Sequence, residues 1–272
     1  MVFSAYHFYN LYHLGDNIFN MIFFKIIKKH IEENKIFIYY YCQPQYIQQV
    51  GEFNDSNNVI IKEIDKKPPN AVEIWIDREV RGISFTKLHN KNQSIGKKRT
   101  NYDKFFVCFY NIILTMMNID IIMNTFYYKD SNLKTRYYHL NKKHKNKYRN
   151  IQILILNSQP MSGQFHYDKS VWDEHIIQLS KKYKVITTTK VDGINCTMDD
   201  QLTVKDIAAV SAKASIIIAI NSGVVPGLLN KYTLNNVKQV FIFDDRCKFS
   251  YKKFQNKENI KDISYEEINK YI

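Results

Sequence analysis

The residue types able to do chemistry in this chain gather in short polar stretches behind apolar runs. One is His13-Leu14-Gly15-Asp16-Asn17. Its glycine lets a ligand approach the backbone closely. Asp16 there can accept a proton or cap the following helix, and Asn17 can cap it too. Another is Asn221-Ser222-Gly223, directly after SIIIAI. A strand, a short polar turn and a helix start suit an anion, because free backbone N–H groups and the helix dipole favour phosphate. Ser158–Gln164 (SQPMSGQ) brings Ser162 and Gln164 to a further strand end. In Thr187-Thr188-Thr189-Lys190, Thr188 offers a hydroxyl and Lys190 a point charge for phosphate. In Thr197-Met198-Asp199-Asp200, Asp200 reads either as a ligand contact or as part of a surface turn. A single polar turn of this kind is commonplace; successive strand ends that are all polar converge on a ligand site.

Absent patterns narrow the chemistry. There is no G-x-G-x-x-G, no Walker lysine loop and no G-x-S-x-G, which argues against a Rossmann dehydrogenase, a P-loop NTPase and an α/β-hydrolase. His13, His166 and His175 pair with no second ligand at metal spacing, so no metal site is expected. Cys42, Cys108, Cys196 and Cys247 form no C-x-x-C, and Cys42 and Cys108 lie in apolar runs, as buried reduced thiols do.

The elements that must position these residues alternate in type. Val2–Phe8 reads as a strand and Asn17–Glu33 as a helix, with Ile18, Met21, Ile22, Ile26 and Ile27 at helical spacing. Lys35–Cys42 (KIFIYYYC) reads as a strand buried on both faces. Pro44–Val50 is a short helix, and Val59–Ile64 and Val72–Ile76 are strands. Tyr102–Asn118 is a long, mostly buried helix. The basic run Lys142–Arg149 has no periodicity and reads as a solvated linker or the edge of an anion-facing cleft. After it the pattern restarts: strand Ile151–Leu156, helix Val171–Lys182, strand Val185–Thr189, then helix Val204–Ala214 opened by a Thr203/Asp206 cap. Strand Ser215–Ile220, a helix after the Asn-Ser-Gly turn, strand Lys238–Phe243 and a closing helix Ser264–Tyr271 complete it. Strands alternating with helices predict parallel sheets covered on both sides. Two such runs predict an α/β chain of two doubly wound domains, 1–145 and 146–272.

Composition sets the bounds. With 272 residues and 45% hydrophobic content the chain can bury a sizeable core and is not disordered. Its 39 Lys+Arg against 26 Asp+Glu give a net charge of +13. Lys, Asn, Ile, Tyr and Phe dominate over six arginines, a skew that an AT-rich coding sequence also produces. The charge therefore fits a generic basic surface, or peripheral contact with an anionic surface, or nucleic acid. Phe105–Met123 is interrupted by Asn111, Asn118 and Asp120 and falls short of a membrane span. No signal-peptide pattern opens the chain. A soluble protein of a reducing compartment, the cytoplasm, is the expectation.

LGDNIFNMIFFKIIKKHIEENKIFIYYY resembles the opening of the heptosyltransferase-like glycosyltransferases of family 9, where a Gly-Asp pair joins the first strand to a long helix. KSVWDEHIIQLSKKYKVITT and LTVKDIAAVSAKASIIIAINSGVVPGLLN resemble that family's Lys–Trp helix and its later helix, strand and Ser/Thr-Gly turn. The likeness covers roughly residues 2–50 and 150–245. It departs at Asn221, where the family usually has Asp, and at Pro226, where it has His. The resemblance implies a GT-B-like fold, two Rossmann-like domains facing a cleft. It implies a metal-independent, inverting enzyme with no cofactor, whose donor is a nucleotide sugar. Its acceptor would be a glycan, glycolipid or glycoprotein. Asp16 would be the general base, with His13, Gly15 and Asn17 on the acceptor side. Ser162, Gln164, Thr188, Lys190, Asp200, Asn221, Ser222 and Gly223 would line the donor site. Asp244-Asp245 could mimic the metal-binding acidic pair of a different glycosyltransferase architecture, but lies too near the C-terminus for the rest of such a domain. The competing expectations are a catalytically inactive nucleotide- or glycan-binding module, a basic nucleic-acid-binding protein, and a sugar-nucleotide epimerase.

Overall fold

The computed structural model describes residues 4–75, 100–126, 128–130, 132–161, 165–244, 249–251, 254 and 259–263. The expected closing helix 264–271, Ile76, Ser162, Gln164 and Cys247 lie outside these residues. The chain divides into two compact units, Met1–Tyr128 and Lys129–Ile272.

In the first unit, strands β1 (Ala5–Asn10), β2 (Phe37–Cys42), β3 (Val59–Glu63) and β4 (Val72–Glu73) form one sheet in the order β3-β2-β1-β4. Every pairing is parallel. Helix α1 (Leu14–Ile26) follows β1 and is buried along most of its length, from Gly15 to Phe24. It can be apolar nearly all round because two layers cover it. Phe24 meets Phe8 and Tyr40 of the sheet. Phe19 and Phe23 meet Phe106 and Tyr110 of the helix Tyr102–Met116, at centroid distances of 4.3 and 4.4 Å. The expected single helix 17–33 is broken: α2 (Lys28–Glu33) restarts after Ile27, whose ψ of 8° interrupts the helical ladder. Around the break Lys25 reaches the Asp55 carboxylate at 2.5 Å and Lys28 its carbonyl at 2.6 Å. β2 is not buried on both faces. Ile38, Tyr40 and Cys42 are buried, whereas Phe37, Tyr39 and Tyr41 are half-buried. The more open face carries stacked rings instead, His7 on Tyr39, with Lys62 over Tyr39. After Pro44–Tyr46, a single 3-10 turn, the short helix α3 runs Ile47–Phe53. The Tyr102–Met116 helix is α4; Asn101 caps it by accepting from the Asp103 N–H.

The second unit begins with a helix the sequence reading missed, α5 (Leu133–Lys143). Its buried residues Leu133, Tyr137 and Leu140 carry the helical spacing in an otherwise polar segment. Residues 129–143 are fastened to α7 (Val204–Ser211) of the same unit. Arg136 donates to Asp206 at 2.5 Å, and Lys205 lies 3.5 Å from Asp130. The six-stranded sheet contains β5 (Ile153–Leu156), β6 (Val185–Thr187), β7 (Asn195–Cys196), β8 (Ile216–Ile220), β9 (Gln239–Phe243) and β10 (Ile260–Ile263). Its order is β10-β9-β8-β5-β6-β7, all parallel. Renumbered from β5, this is the 3-2-1-4-5-6 order of dinucleotide-binding folds. Helix α6 (Lys169–Ser180), capped by Asp168, covers one face with Trp172 and Ile176. Trp172 meets Phe243 edge to face at 5.1 Å. On the other face, α8 (Val225–Leu228) and α9 (Lys231–Asn236) bring Val225, Leu228 and Leu234 against Ile217, Ala219 and Ile242. The sheet is thus covered on both sides. The expected capping box of α7 is present, with Thr203 and Asp206 bonded reciprocally.

The helix expected after Asn-Ser-Gly is only one turn, Val225–Leu228, and the chain restarts at Lys231. A single turn carries little dipole, so anion binding at this turn rests on its polar groups rather than on a helix terminus. The basic run 142–149 is not wholly solvated either, since Lys147 and Tyr148 fold back onto Asp200.

Candidate functional site

In open parallel sheets, ligands bind at the carboxyl ends of the strands where the order reverses. In the second unit that point lies between β5 and β8, which pair through Leu156 and Ala219. The residues just past them are Asn157-Ser158 and Asn221-Ser222-Gly223.

Asn157 is a buried staple that the sequence reading passed over. Its side-chain oxygen accepts from the N–H groups of Thr188 and Thr189 at 3.1 and 2.9 Å. Its own N–H donates to Thr188 Oγ1 at 3.1 Å. Thr188, expected on the donor side, is therefore buried with its hydroxyl engaged by Asn157 and by Ser158 at 3.3 Å. These bonds lock the end of β6 to the end of β5.

On the β8 side, Asn221 is buried and its side chain donates to Asp244 at 2.6 Å. The Asn221 oxygen faces the Tyr251 hydroxyl at 3.4 Å. Asp244, set aside in the sequence as a metal ligand, is the buried partner of a candidate site residue. Beside them stands Ser222, only 6% exposed, whose Oγ has no hydrogen-bond partner among the described residues. Burying an unpaired hydroxyl costs roughly 1–3 kcal/mol. A ligand oxygen arriving at this turn would remove that cost. Gly223 follows, part-exposed, at the mouth of the turn.

Lys190 and Asp200 follow the carboxyl ends of β6 and β7. Lys190 is 74% exposed and pairs with Asp199 at 3.4 Å. Asp200 accepts from Lys147 at 2.6 Å and from Tyr148, and His144 approaches at 3.2 Å. Burial pushes the Asp200 carboxyl up, but the bonds from Lys147 and Tyr148 and the nearby Lys147 and His144 charges outweigh it and hold it below the ordinary carboxylate value. A carboxylate held low contributes stability above its unfolded value near 3.9 that is lost as pH falls through the folded value. Asp200→Asn should therefore destabilise the chain by roughly 1 kcal/mol at neutral pH. Urea midpoints of wild type and variant should converge in strong acid.

In the first unit the order reverses between β1 and β4. His13 occupies the N-cap of α1 without a side-chain bond, and Asp16 lies in the first turn, half-buried. Neither Asp16 nor Asn17 is the cap. Asn17 is fully buried: it donates to the His13 carbonyl at 2.9 Å and accepts from Tyr40 OH at 2.6 Å. Asn20 donates to Tyr40 OH and to the Ile74 carbonyl, both at 2.9 Å, and accepts from Tyr110 OH at 2.9 Å. Burial holds both phenols well above their ordinary value, so they remain neutral donors. Asn10 ties β1 to the Ile74 carbonyl at 3.2 Å. Asn17 thus fixes the entry of α1, and with it the position of Asp16. Next to this entry, the Tyr12 and Trp75 rings stack at 3.8 Å. Tyr40→Phe removes the hydroxyl that Asn17 and Asn20 share and should cost about 1–3 kcal/mol, read as a lower urea midpoint.

Among the described residues no group of three His, Cys, Asp or Glu side chains could hold a metal ion, and no helix is long and apolar enough to cross a membrane. Burial raises the Cys42 thiol to about 11 and leaves it unreactive at neutral pH.

No protein-family profile matches the sequence, and no curated protein resembles it in sequence. Solved structures do resemble it in fold. A glycosyl transferase of family 9 from Veillonella parvula DSM 2008 superposes with a TM-score of 0.55 at 11% identity, over 98% of this chain and 87% of that one. The E. coli heptosyltransferase WaaC with ADP gives 0.54 at 8% identity, over 96% and 91%. The E. coli ADP-heptose LPS heptosyltransferase II gives 0.51 at 10% identity, over 96% and 90%. The chain therefore has an α/β fold like that of the family 9 heptosyltransferases, consistent with the GT-B-like class.

Proposed function

We propose that this chain is a glycosyltransferase that moves a sugar from a nucleotide-sugar donor to an acceptor hydroxyl, with inversion and without a metal. The observation that carries this is the Ser222 hydroxyl, buried and without a hydrogen-bond partner among the described residues, at the reversal point of a nucleotide-binding strand order. The fold likeness to glycosyltransferases, one of them solved with ADP, supports a nucleoside diphosphate as the ligand class. In this proposal the N–H groups of Ser222 and Gly223 and the Ser222 hydroxyl stabilise the charge that grows on the departing diphosphate. Asp16, held by the Asn17–Tyr40 bonds, takes the proton of the acceptor hydroxyl as its oxygen attacks the anomeric carbon. Attack opposite the leaving group inverts that carbon. The proposal requires both units to present their carboxyl edges to one substrate pair, as domains facing a cleft would. It includes a cytoplasmic setting, which reduced thiols fit.

The test is release of nucleoside diphosphate from nucleotide sugars in EDTA, with the product's anomeric configuration read by NMR. Retained configuration, or turnover only with added metal, contradicts the mechanism. Asn221 and Pro226 stand where the resembled family has Asp and His, which favours a second reading: a module that binds nucleotide sugar without turnover. Gly223→Val sets a branched side chain at the mouth of the turn. It should weaken nucleotide binding by about tenfold or more, roughly 1.4 kcal/mol, in a titration. Unchanged affinity would move the donor site elsewhere.

A further inference from the structure

The opposite edge of the second sheet is a separate surface. The segments leading into β5, β6, β8 and β9 are RNIQI (149–153), QLSKKYK (178–184), KASI (213–216) and NVKQVF (236–241). They carry Arg149, Lys181, Lys182, Lys184, Lys213 and Lys238 and not one Asp or Glu. Parallel strands gather these four segments at one edge, and the six charges they carry are all positive; the segment leading into β7 adds Asp192. Between α6 and the sheet this edge opens into a cavity of about 570 Å³. Leu179, Ile216, Ile218 and Phe241 supply apolar lining, and Lys181, Lys182 and Lys238 also line it. Tyr183 lines it as well, 44% exposed. Ile216 and Phe241 are only partly buried, although they lie on the face that holds the Trp172 core.

We propose that this amino edge docks onto an anionic lipid membrane, the lysines meeting lipid phosphates while the cavity accepts part of a lipid's apolar body. Clustered lysines draw a protein to an anionic leaflet. An apolar recess beside them, with a tyrosine at its rim, matches the layering of headgroup and acyl chain. Nucleic acid would use the same charge, but successive bases stack on several aromatic faces, and of the two rings lining this recess only Tyr183 is exposed while Phe241 is partly buried. The inference is independent of the catalytic proposal, because it involves none of the carboxyl-edge residues.

The test is flotation of the whole chain with phosphatidylcholine vesicles and with vesicles containing phosphatidylglycerol. Binding is expected only to the anionic vesicles and should weaken with salt. The triple variant Lys181→Glu, Lys182→Glu, Lys238→Glu should lower it by at least about tenfold, and Tyr183→Ser should lower it further. Both variants should keep the wild-type circular dichroism. A control triple, Lys66→Glu, Lys67→Glu, Lys104→Glu on exposed positions of the first unit, should keep binding. Equal loss in the control reduces the effect to bulk charge and overturns the proposal. So does failure to bind anionic vesicles, or tighter binding of an oligonucleotide through the same three lysines.

Discussion

Asp16→Asn is expected to slow sugar transfer by roughly 10²–10⁴-fold, the range lost with a positioned general base, while nucleotide affinity stays at the wild-type level. The substitution keeps the size and shape of the side chain and removes its negative charge and its ability to take a proton. Asp16 lies in the first turn of α1, where it is not the N-cap, since His13 holds that place. The helix start is fixed independently, by Asn17 on the His13 carbonyl and on Tyr40. The variant should therefore fold normally, and the loss should appear in kcat rather than in donor binding. Transfer surviving within about tenfold would leave Asp16 as a dipole partner of the helix and no more.

A second large effect is expected at the β8 end. Asn221→Asp would set two buried carboxyl groups at the 2.6 Å separation now held by an amide and the Asp244 carboxylate. Two such groups cannot both ionise. One would keep its proton in the folded state, with a value raised above the unfolded value near 3.9. The folded variant then binds more protons than the unfolded chain, so its stability falls as pH rises from about 4 through the raised value. At neutral pH the loss should be about 3 kcal/mol. Near pH 4, roughly the unfolded carboxylate value, most of it should return. Urea midpoints of wild type and variant at the two pH values measure this directly. A variant as stable as wild type at neutral pH would show that the side chain at position 221 does not face Asp244. Beside Asp244 an amide at position 221 can donate where a second carboxylate would repel.

Much of the fold was legible because its signals are local. Apolar runs such as IQILIL and SIIIAI, spaced by amphipathic stretches, indicated parallel strands, and Thr203 with Asp206 marked the start of α7. The failures have physical reasons. β2 looked buried on both faces because tyrosines count as apolar, yet Tyr39 and Tyr41 stack with His7 on a half-open face. α5 was hidden because only its Leu133–Tyr137–Leu140 stripe is apolar, in a segment dominated by polar and charged residues. At the site, the sequence marked the right strand ends but not the roles of their side chains. Asn157 and Thr188 are 31 positions apart, and Asn221 and Asp244 are 23 apart. Those pairings arise from neighbouring strands, which spacing does not reveal. Ser222 was legible as a turn residue; that its hydroxyl has no partner among the described residues was not, because that depends on what surrounds it.

The most direct test of the central claim is a thermal-shift panel of UDP, GDP, ADP, CMP and TDP, with and without their sugars, in EDTA. A ligand at about 100 times its dissociation constant stabilises by about 2.7 kcal/mol, a rise of a few degrees for a chain of this size. The expected result is a rise with one nucleoside diphosphate and its sugar conjugate, much reduced in Gly223→Val. A folded protein whose melting temperature moves with none of these nucleotides would contradict a donor site at Ser222 and Gly223.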